Sequence, residues 1–524
     1  GAGKYWKDIL NTNNSSLSKI FIYTSNVENA SAYSPNIEDG IAKGMTQLQA
    51  KILGKPFDYT SGEPVALIEI GKMNFKTGVP SVLPNVVGAD LYGTMVHELG
   101  HALGISGTAI FDKDTNQAKF EDIPSIFDKG LIDNRGRKIS ETTGIISYID
   151  NDRNTIGNPN TDFDASGNVY FTGKNVAEVL KDSSLKGVPI NVRLEGDTPI
   201  PELSHLEMDR GLMSHQPYSN YSTFMEAELA VLQDIGYSID RRNFFGYSVY
   251  GDNLNINNYN GYFLRDEKGE KYIVGRANTA SYGVGLHVYG SNNEIVQKAD
   301  ILTSGMAGTG IRVDGVKNKI TVDKNIKINV DGDYGTGILV AYGKEHNITN
   351  NGEIRARGNQ GIGVRFDFGT GSNGKHTAYL GSYILSAEGK DFSNSLALID
   401  NESLKVNEVD GALVENFNTS GYIEGKNASL YMSDNAYVKN INIFDGAVLK
   451  GNIVSMYNPK TLFNNNNIAT ETNLNLGVDK NNLNKGDSNF SFRFDDNIIG
   501  KNIVLNIKGG KSSLNGNNEI LRAV

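Results

Sequence analysis

Cysteine is absent from the chain, which removes disulfides, thiolate metal sites and cysteine nucleophiles from consideration. A thiol-free chain suits the cytosol, and equally a Gram-negative secreted protein that must stay unfolded during export. Proline is scarce, 12 residues in 524, beside 59 glycines and abundant asparagine. Glycine and asparagine without proline suit many tight turns between strands and argue against a disordered linker. No run of 18 apolar residues occurs, so the sequence offers no membrane-spanning helix. No dense basic run offsets the formal net charge of -10, which argues against nucleic acid as a partner. The opening Gly1-Ala2-Gly3-Lys4 lacks a signal-peptide pattern and reads as the start of a mature or excised fragment. A length of 524 residues leads us to expect two or more domains.

Histidine is also rare, at seven residues, yet two of them stand four apart in Met95-Val96-His97-Glu98-Leu99-Gly100-His101-Ala102-Leu103-Gly104. This is the H-E-x-x-H pattern. On a helix, His97 and His101 share one face a turn apart and can bind one Zn²⁺, while Glu98 is placed to move a proton at the metal-bound water. The bland alternative is a helix with two polar histidines on its solvent face. The context argues against it: Leu91, Met95, Leu99 and Leu103 form an apolar face, Asp90 suits a helix start, and Gly104 suits its end.

Before this helix, residues 18–24 and 65–70 read as strands and residues 37–53 as an amphipathic helix, with Ile37, Ile41, Met45, Leu48 and Ile52 at helical spacing. After it, residues 105–204 carry no second metal motif. Asp112, Asp114 and Asn116, and again Asp150, Asp152 and Asn154, alternate oxygen side chains as calcium loops do, without the glycine and terminal glutamate. Solvated loops are one reading and a weak Ca²⁺ site the other. Residues 163–171 read as a hairpin around Ser166-Gly167-Asn168, and residues 223–235 as a helix with a wide apolar face.

Beyond about residue 245 the texture changes to short β-type runs between glycines and asparagines. Gly283-Val284-Gly285-Leu286 recurs as Gly308-Thr309-Gly310-Ile311, Gly335-Thr336-Gly337-Ile338 and Gly361-Ile362-Gly363-Val364. The steps are 308−283 = 25, 335−308 = 27 and 361−335 = 26 residues. A unit of that length cannot bury its own apolar face, but stacked units can. We therefore expect an all-β right-handed parallel β-helix (solenoid) over residues 244–524, with a glycine-rich β-sandwich as the alternative.

A catalytic zinc site needs a third protein ligand and an open position. In the compact pattern H-E-x-x-H-x-x-G-x-x-H, the third histidine would fall at Gly107, which cannot ligate. Downstream stand Ser204-His205-Leu206-Glu207, Gly211-Leu212-Met213-Ser214 and Glu228-Leu229-Ala230-Val231-Leu232-Gln233-Asp234-Ile235-Gly236-Tyr237. In this order, the motifs resemble the leishmanolysin-like branch of the metzincin zinc metalloproteases, in which an insertion precedes the third histidine and a methionine turn follows. Residues 171–177 and Val188-Pro189 are similar to the segment before that histidine. The resemblance spans roughly residues 18–240.

That resemblance implies an α+β metzincin-type catalytic domain over 1–243, with an insertion at 105–204. It implies His97, His101 and His205 as metal ligands, Glu98 as general base and Met213 as the floor beneath the metal. Only seven residues separate His205 from Met213, so His215 is a rival third ligand. His215 and Tyr218 are also candidates to contact the substrate or transition state. The second half resembles the passenger region of Gram-negative autotransporters, whose C-terminal outer-membrane barrel is missing from this chain. The expectation is a zinc endopeptidase, secreted or displayed on the cell surface, that cleaves protein or peptide substrates held extended along an edge strand near the loop before the active helix. The alternatives are a non-enzymatic adhesin with a vestigial protease domain and a polysaccharide-active β-helix.

Overall fold

The computed structural model describes residues 2–10, 18–72, 75–76, 85–86, 89–190, 192, 194, 199–208, 211–214, 224–367, 370–373, 376–378, 411–458 and 471–524. The chain divides into two compact units, Gly1–Ile239 with Thr370–Asp400, and Asp240–Gly369 with Asn401–Val524.

The first unit contains the helices α1 (Ala2–Leu10), α2 (Gln47–Ile52), α3 (Leu91–Ala102), α4 (Lys174–Val179) and α5 (Glu226–Asp234). It also holds a three-stranded sheet of β1 (Ile20–Thr24), β2 (Ala30–Tyr33) and β3 (Ala66–Ile70), in the order β1-β3-β2. β1 runs parallel to β3, and β2 runs antiparallel to it. α3, the helix of the histidine pattern, lies against β2 and β3 and buries Val96, Leu99 and Ala102. α1 backs the same helix, with the Trp6 indole N–H donating to the Val96 carbonyl at 3.1 Å. Thr370–Asn373, although it interrupts the second unit in sequence, pairs parallel with Asn85–Val86 of the first.

Two expectations need correction. The helix expected over 37–53 begins only at Gln47, after a short 3₁₀ turn at Gly40–Ala42. Gly40 and Gly44 stand at φ +69° and +83°, a left-handed conformation that breaks a helix, and the Thr46 side chain then caps α2 by accepting from the Gln49 amide. Ile41, counted on the apolar face, is consequently exposed. The hairpin expected at 163–171 does not form either. Phe163–Asp164 pairs parallel with Ile146–Ser147, while Val169–Phe171 pairs with Val188–Ile190 and Leu131–Ile132. Asp164 turns the chain between them by accepting from the Ser166 amide, and its own amide donates to Asp133. Each strand is thereby committed to a separate sheet.

The second unit is a long, all-parallel sheet system of 19 strands, compatible with a β-helix. Its strands pair rung upon rung. Ile295, Ile320, Ile348, Phe417, Ile441 and Leu474 are successive register partners, and all are fully buried. Asparagine amides bridge the later rungs: Asn442 donates to Asn418, Asn475 to Asn442 and Asn506 to Asn475, at 2.8–2.9 Å. This accounts for part of the asparagine content, since stacked amides satisfy one another along a ladder.

The recurring glycines have a steric cause. A Cβ on Gly310 would lie 2.3 Å from Ile328 Cγ2, one on Gly337 2.3 Å from Ile354 Cγ2, and one on Gly285 2.5 Å from Ile301 Cγ2. The second glycine of each repeat therefore leaves room for an isoleucine on another strand. Substituting Gly310→Ala should overpack this contact and destabilise the solenoid by about 1–3 kcal/mol. Thermal unfolding checks it, and Ile328→Val, which keeps the opposing Cγ2 methyl, should not recover the loss.

Candidate metal centre

α3 ends in a way that also fixes a functional side chain. Gly104 takes φ +115°, the Gly104 amide donates to the His101 carbonyl, and the Ile105 amide donates to the Gly100 carbonyl. This is the Schellman arrangement, which glycine favours. The remaining end carbonyls are also satisfied, Ala102 by the Thr46 hydroxyl and Leu103 by the Tyr237 hydroxyl. The turn swings the Ile105 carbonyl back over the helix, where it accepts from His101 Nδ1 at 2.7 Å.

The other two rings are held in the same manner. His97 Nδ1 lies 2.6 Å from the Leu212 carbonyl, and His205 Nδ1 lies 3.0 Å from a carboxylate oxygen of Glu202. A carbonyl or carboxylate can only accept, so each Nδ1 carries a proton, and in the neutral ring Nε2 presents a lone pair. Those lone pairs converge: His101 Nε2 is 3.0 Å from His97 Nε2 and 3.3 Å from His205 Nε2. Four-coordinate metal–nitrogen bonds of about 2.0–2.1 Å would separate tetrahedral ligand nitrogens by about 3.3 Å. The three histidines thus fit a single metal ion, and they are the one such group among the described residues. Burial and its two histidine neighbours hold His101 well below the ordinary histidine range, which keeps the ring neutral and able to ligate.

His205 reaches α3 from a distant part of the sequence because its loop is tied down at several points. Ser204 Oγ accepts from the Gly107 amide at 2.9 Å, the Leu206 amide donates to the Met213 carbonyl, and the Glu207 amide donates to the Pro189 carbonyl. Gly107, the position that a compact motif would give to the third histidine, instead packs against this loop. A Cβ there would stand 3.2 Å from the Leu203 backbone.

Met213 is fully buried against the same helix, and a Cβ on Gly100 would fall 2.5 Å from its sulfur. The turn carrying Met213 hangs on Glu228, in the first turn of α5. Glu228 accepts from the amides of Met213, Met225 and Leu212 at 2.9, 2.8 and 3.3 Å. Burial pushes Glu228 up to about 7 against the lowering pull of those amides.

Glu98 is also buried, and burial raises its carboxyl to about 8. His215 and Tyr218 lie outside the described residues. The aspartates of the two expected oxygen-rich loops close tight turns: Asp112 accepts from the Asp114 amide and pairs with Lys119, and Asp150 accepts from the Asn154 amide.

Several positioning residues were not identified from sequence. Glu228 had a legible signal, a glutamate at the third position of a helix start. Glu202 and the Leu212 and Ile105 carbonyls had none, because their roles exist only once the chain is folded.

Two predictions follow from this geometry. Gly104→Ala forces a side chain into a conformation that costs about 1–2 kcal/mol, and its methyl would meet the Gln49 amide oxygen at 2.8 Å. It should lower the melting temperature and, by shifting the Ile105 carbonyl, weaken metal binding; both are measurable on the same preparation. The second concerns Glu98, whose carboxyl is raised from 4.5 to about 8. The fold favours its protonated form, so its contribution to stability is complete below pH 4.5 and lost as pH rises through about 8. Metal-free Glu98→Gln protein should therefore melt higher than the parent at pH 8 and nearly equal to it at pH 4.

Comparison with known proteins returned no matching family model, curated protein or solved structure.

Proposed function

We propose that the chain is a zinc-dependent endopeptidase, with a metzincin-type catalytic domain followed by a right-handed β-helical passenger or stalk. The observation that carries this reading is the set of three imidazoles, two on a helix that also bears a buried glutamate and one on a loop, each with Nδ1 beside an acceptor and all three able to hold one ion. Three neutral nitrogen donors with a fourth position open are the usual donor set of catalytic zinc. A zinc ion held there would lower the pKa of a water and polarise a carbonyl oxygen.

The chain's own residues would do the rest. Glu98 takes the proton of the attacking water and passes it to the amine nitrogen as the C–N bond breaks. A carboxyl lifted by burial to about 8 holds that proton more tightly than an ordinary glutamate would, which suits the donating half of the cycle. Met213, packed against Gly100, supports the helix between the two ligand turns. An extended peptide would lie along an exposed edge strand, with main-chain hydrogen bonds supplying affinity. Secretion or surface display in a Gram-negative bacterium accords with the absence of cysteine and with the passenger-like second half.

The test is hydrolysis of a mixed peptide library by the zinc-loaded chain and by its Glu98→Gln variant. The expected result is cleavage by the parent, with turnover reduced at least 100-fold in the variant while zinc content is unchanged. Equal cleavage by both proteins would eliminate the proposed role of Glu98. Stoichiometric zinc without cleavage by either would favour the adhesin reading.

A further inference from the structure

The three imidazoles do not have equivalent partners. His97 and His101 donate to neutral backbone carbonyls, whereas His205 donates to a carboxylate. Glu202 is buried, and its two oxygens have separate duties. Oε1 accepts from the Ser204 amide at 2.6 Å, and Oε2 faces His205 Nδ1 at 3.0 Å. We propose that Glu202 is a positioning residue for metal binding, setting the tautomer of His205 so that Nε2 is the unprotonated, ligating nitrogen. This inference rests on reading the three histidines as a metal site.

The argument comes from counting donors and acceptors at one side chain. Two N–H groups, of Ser204 and of the His205 ring, point at two separate carboxylate oxygens. A carboxylate accepts both. A glutamine in its place offers one oxygen and one NH₂, so one of the two N–H groups would meet another donor. The Ser204 amide cannot relocate its proton, but an imidazole can. In Glu202→Gln protein, the glutamine oxygen therefore stays with Ser204, and its NH₂ makes His205 Nδ1 the acceptor. The ring proton moves to Nε2, the atom that must be bare to bind a metal. Alanine behaves differently. It abandons the Ser204 amide and loosens the loop, yet it does not impose the wrong tautomer.

Tautomer control thus predicts an inverted ranking. For folding, glutamine should be the milder substitution, since it keeps the acceptor for Ser204. For metal binding, it should be the more damaging. A residue that merely anchored its loop would rank the two substitutions identically in both measurements.

The experiment measures zinc affinity by competition with a chromophoric chelator, and melting temperature without metal, for the intact chain and the Glu202→Gln and Glu202→Ala variants. The expected result is a metal-free melting temperature for Glu202→Gln close to the parent and above Glu202→Ala. Its zinc affinity should fall by roughly 10–100-fold, the usual loss for an outer partner of a ligating histidine, and by more than that of Glu202→Ala. Histidine-selective ¹⁵N spectra of the metal-free proteins give an independent readout, with His205 protonated at Nδ1 in the parent and at Nε2 in Glu202→Gln. Zinc bound equally by the parent and Glu202→Gln would overturn the role of Glu202 and leave the metal site standing. Affinity losses that follow the melting temperatures would overturn it too. Failure of the parent to bind zinc would overturn the metal reading, and this inference with it.

Discussion

The Nε2 lone pair of His101 lies 3.0 and 3.3 Å from those of His97 and His205, distances at which lone pairs repel and a cation among them would relieve the repulsion. Each Nδ1 donates to an acceptor outside the triad, which leaves Nε2 of the neutral ring as the inward-facing atom. Much of the first unit can be understood as holding that arrangement. The Schellman turn at Gly104 supplies the acceptor for His101, the Met213 turn supplies the one for His97, and the loop over Gly107 brings both His205 and its carboxylate. Orientation of the three rings is therefore distributed over helix α3, the loop that carries His205, 104 residues after His101, and the start of α5.

That distribution explains what could be read from sequence. The pair His97 and His101 was legible because a helix brings residues four apart onto one face without help from the rest of the chain. The stacked parallel strands of the second unit were legible for a similar reason: the repeat is short, and its glycines recur at nearly constant spacing. Where Thr370–Asn373 leaves the rungs to pair with Asn85–Val86 of the first unit, the period does not persist. His205 was reached by resemblance to a family and not by spacing, and Glu202 and Glu228 were not reached as site residues at all. The misjudged helix at 37–53 has a plainer cause. Apolar spacing alone points to a helix there, and Gly40 and Gly44, both at positive φ, break it.

Buried carboxyls are the cost side of this architecture. Glu98 and Glu228 are both lifted by burial, to about 8 and about 7, and Asp128, beside the loop at Thr108, to about 6. The latter two are compensated by hydrogen bonds. Glu228 gathers three amides, and Asp128 accepts from Thr108 and Ser125. For Glu98, burial is the sole resolved cause of its shift, with no hydrogen bond opposing it. Strongly perturbed groups concentrate at functional sites, which accords with the role proposed for Glu98.

Glycine has the same steric use within each unit. Gly100 yields to Met213, Gly107 to the backbone at Leu203, and Gly310 to Ile328. None of these three needs a left-handed backbone; each marks a place where a distant segment passes within reach of a methyl group. In the solenoid that segment belongs to the repeat, so the glycines recur and announce themselves. In the first unit each contact occurs once, so an isolated glycine in a helix motif looks like a defect, and one at the expected third-ligand position looks like a broken site. Position 107 shows why that reading misleads. A methyl there would press at 3.2 Å on the Leu203 backbone, so glycine eases the passage of the loop carrying His205 over the end of α3, where the Gly107 amide also donates to Ser204 Oγ.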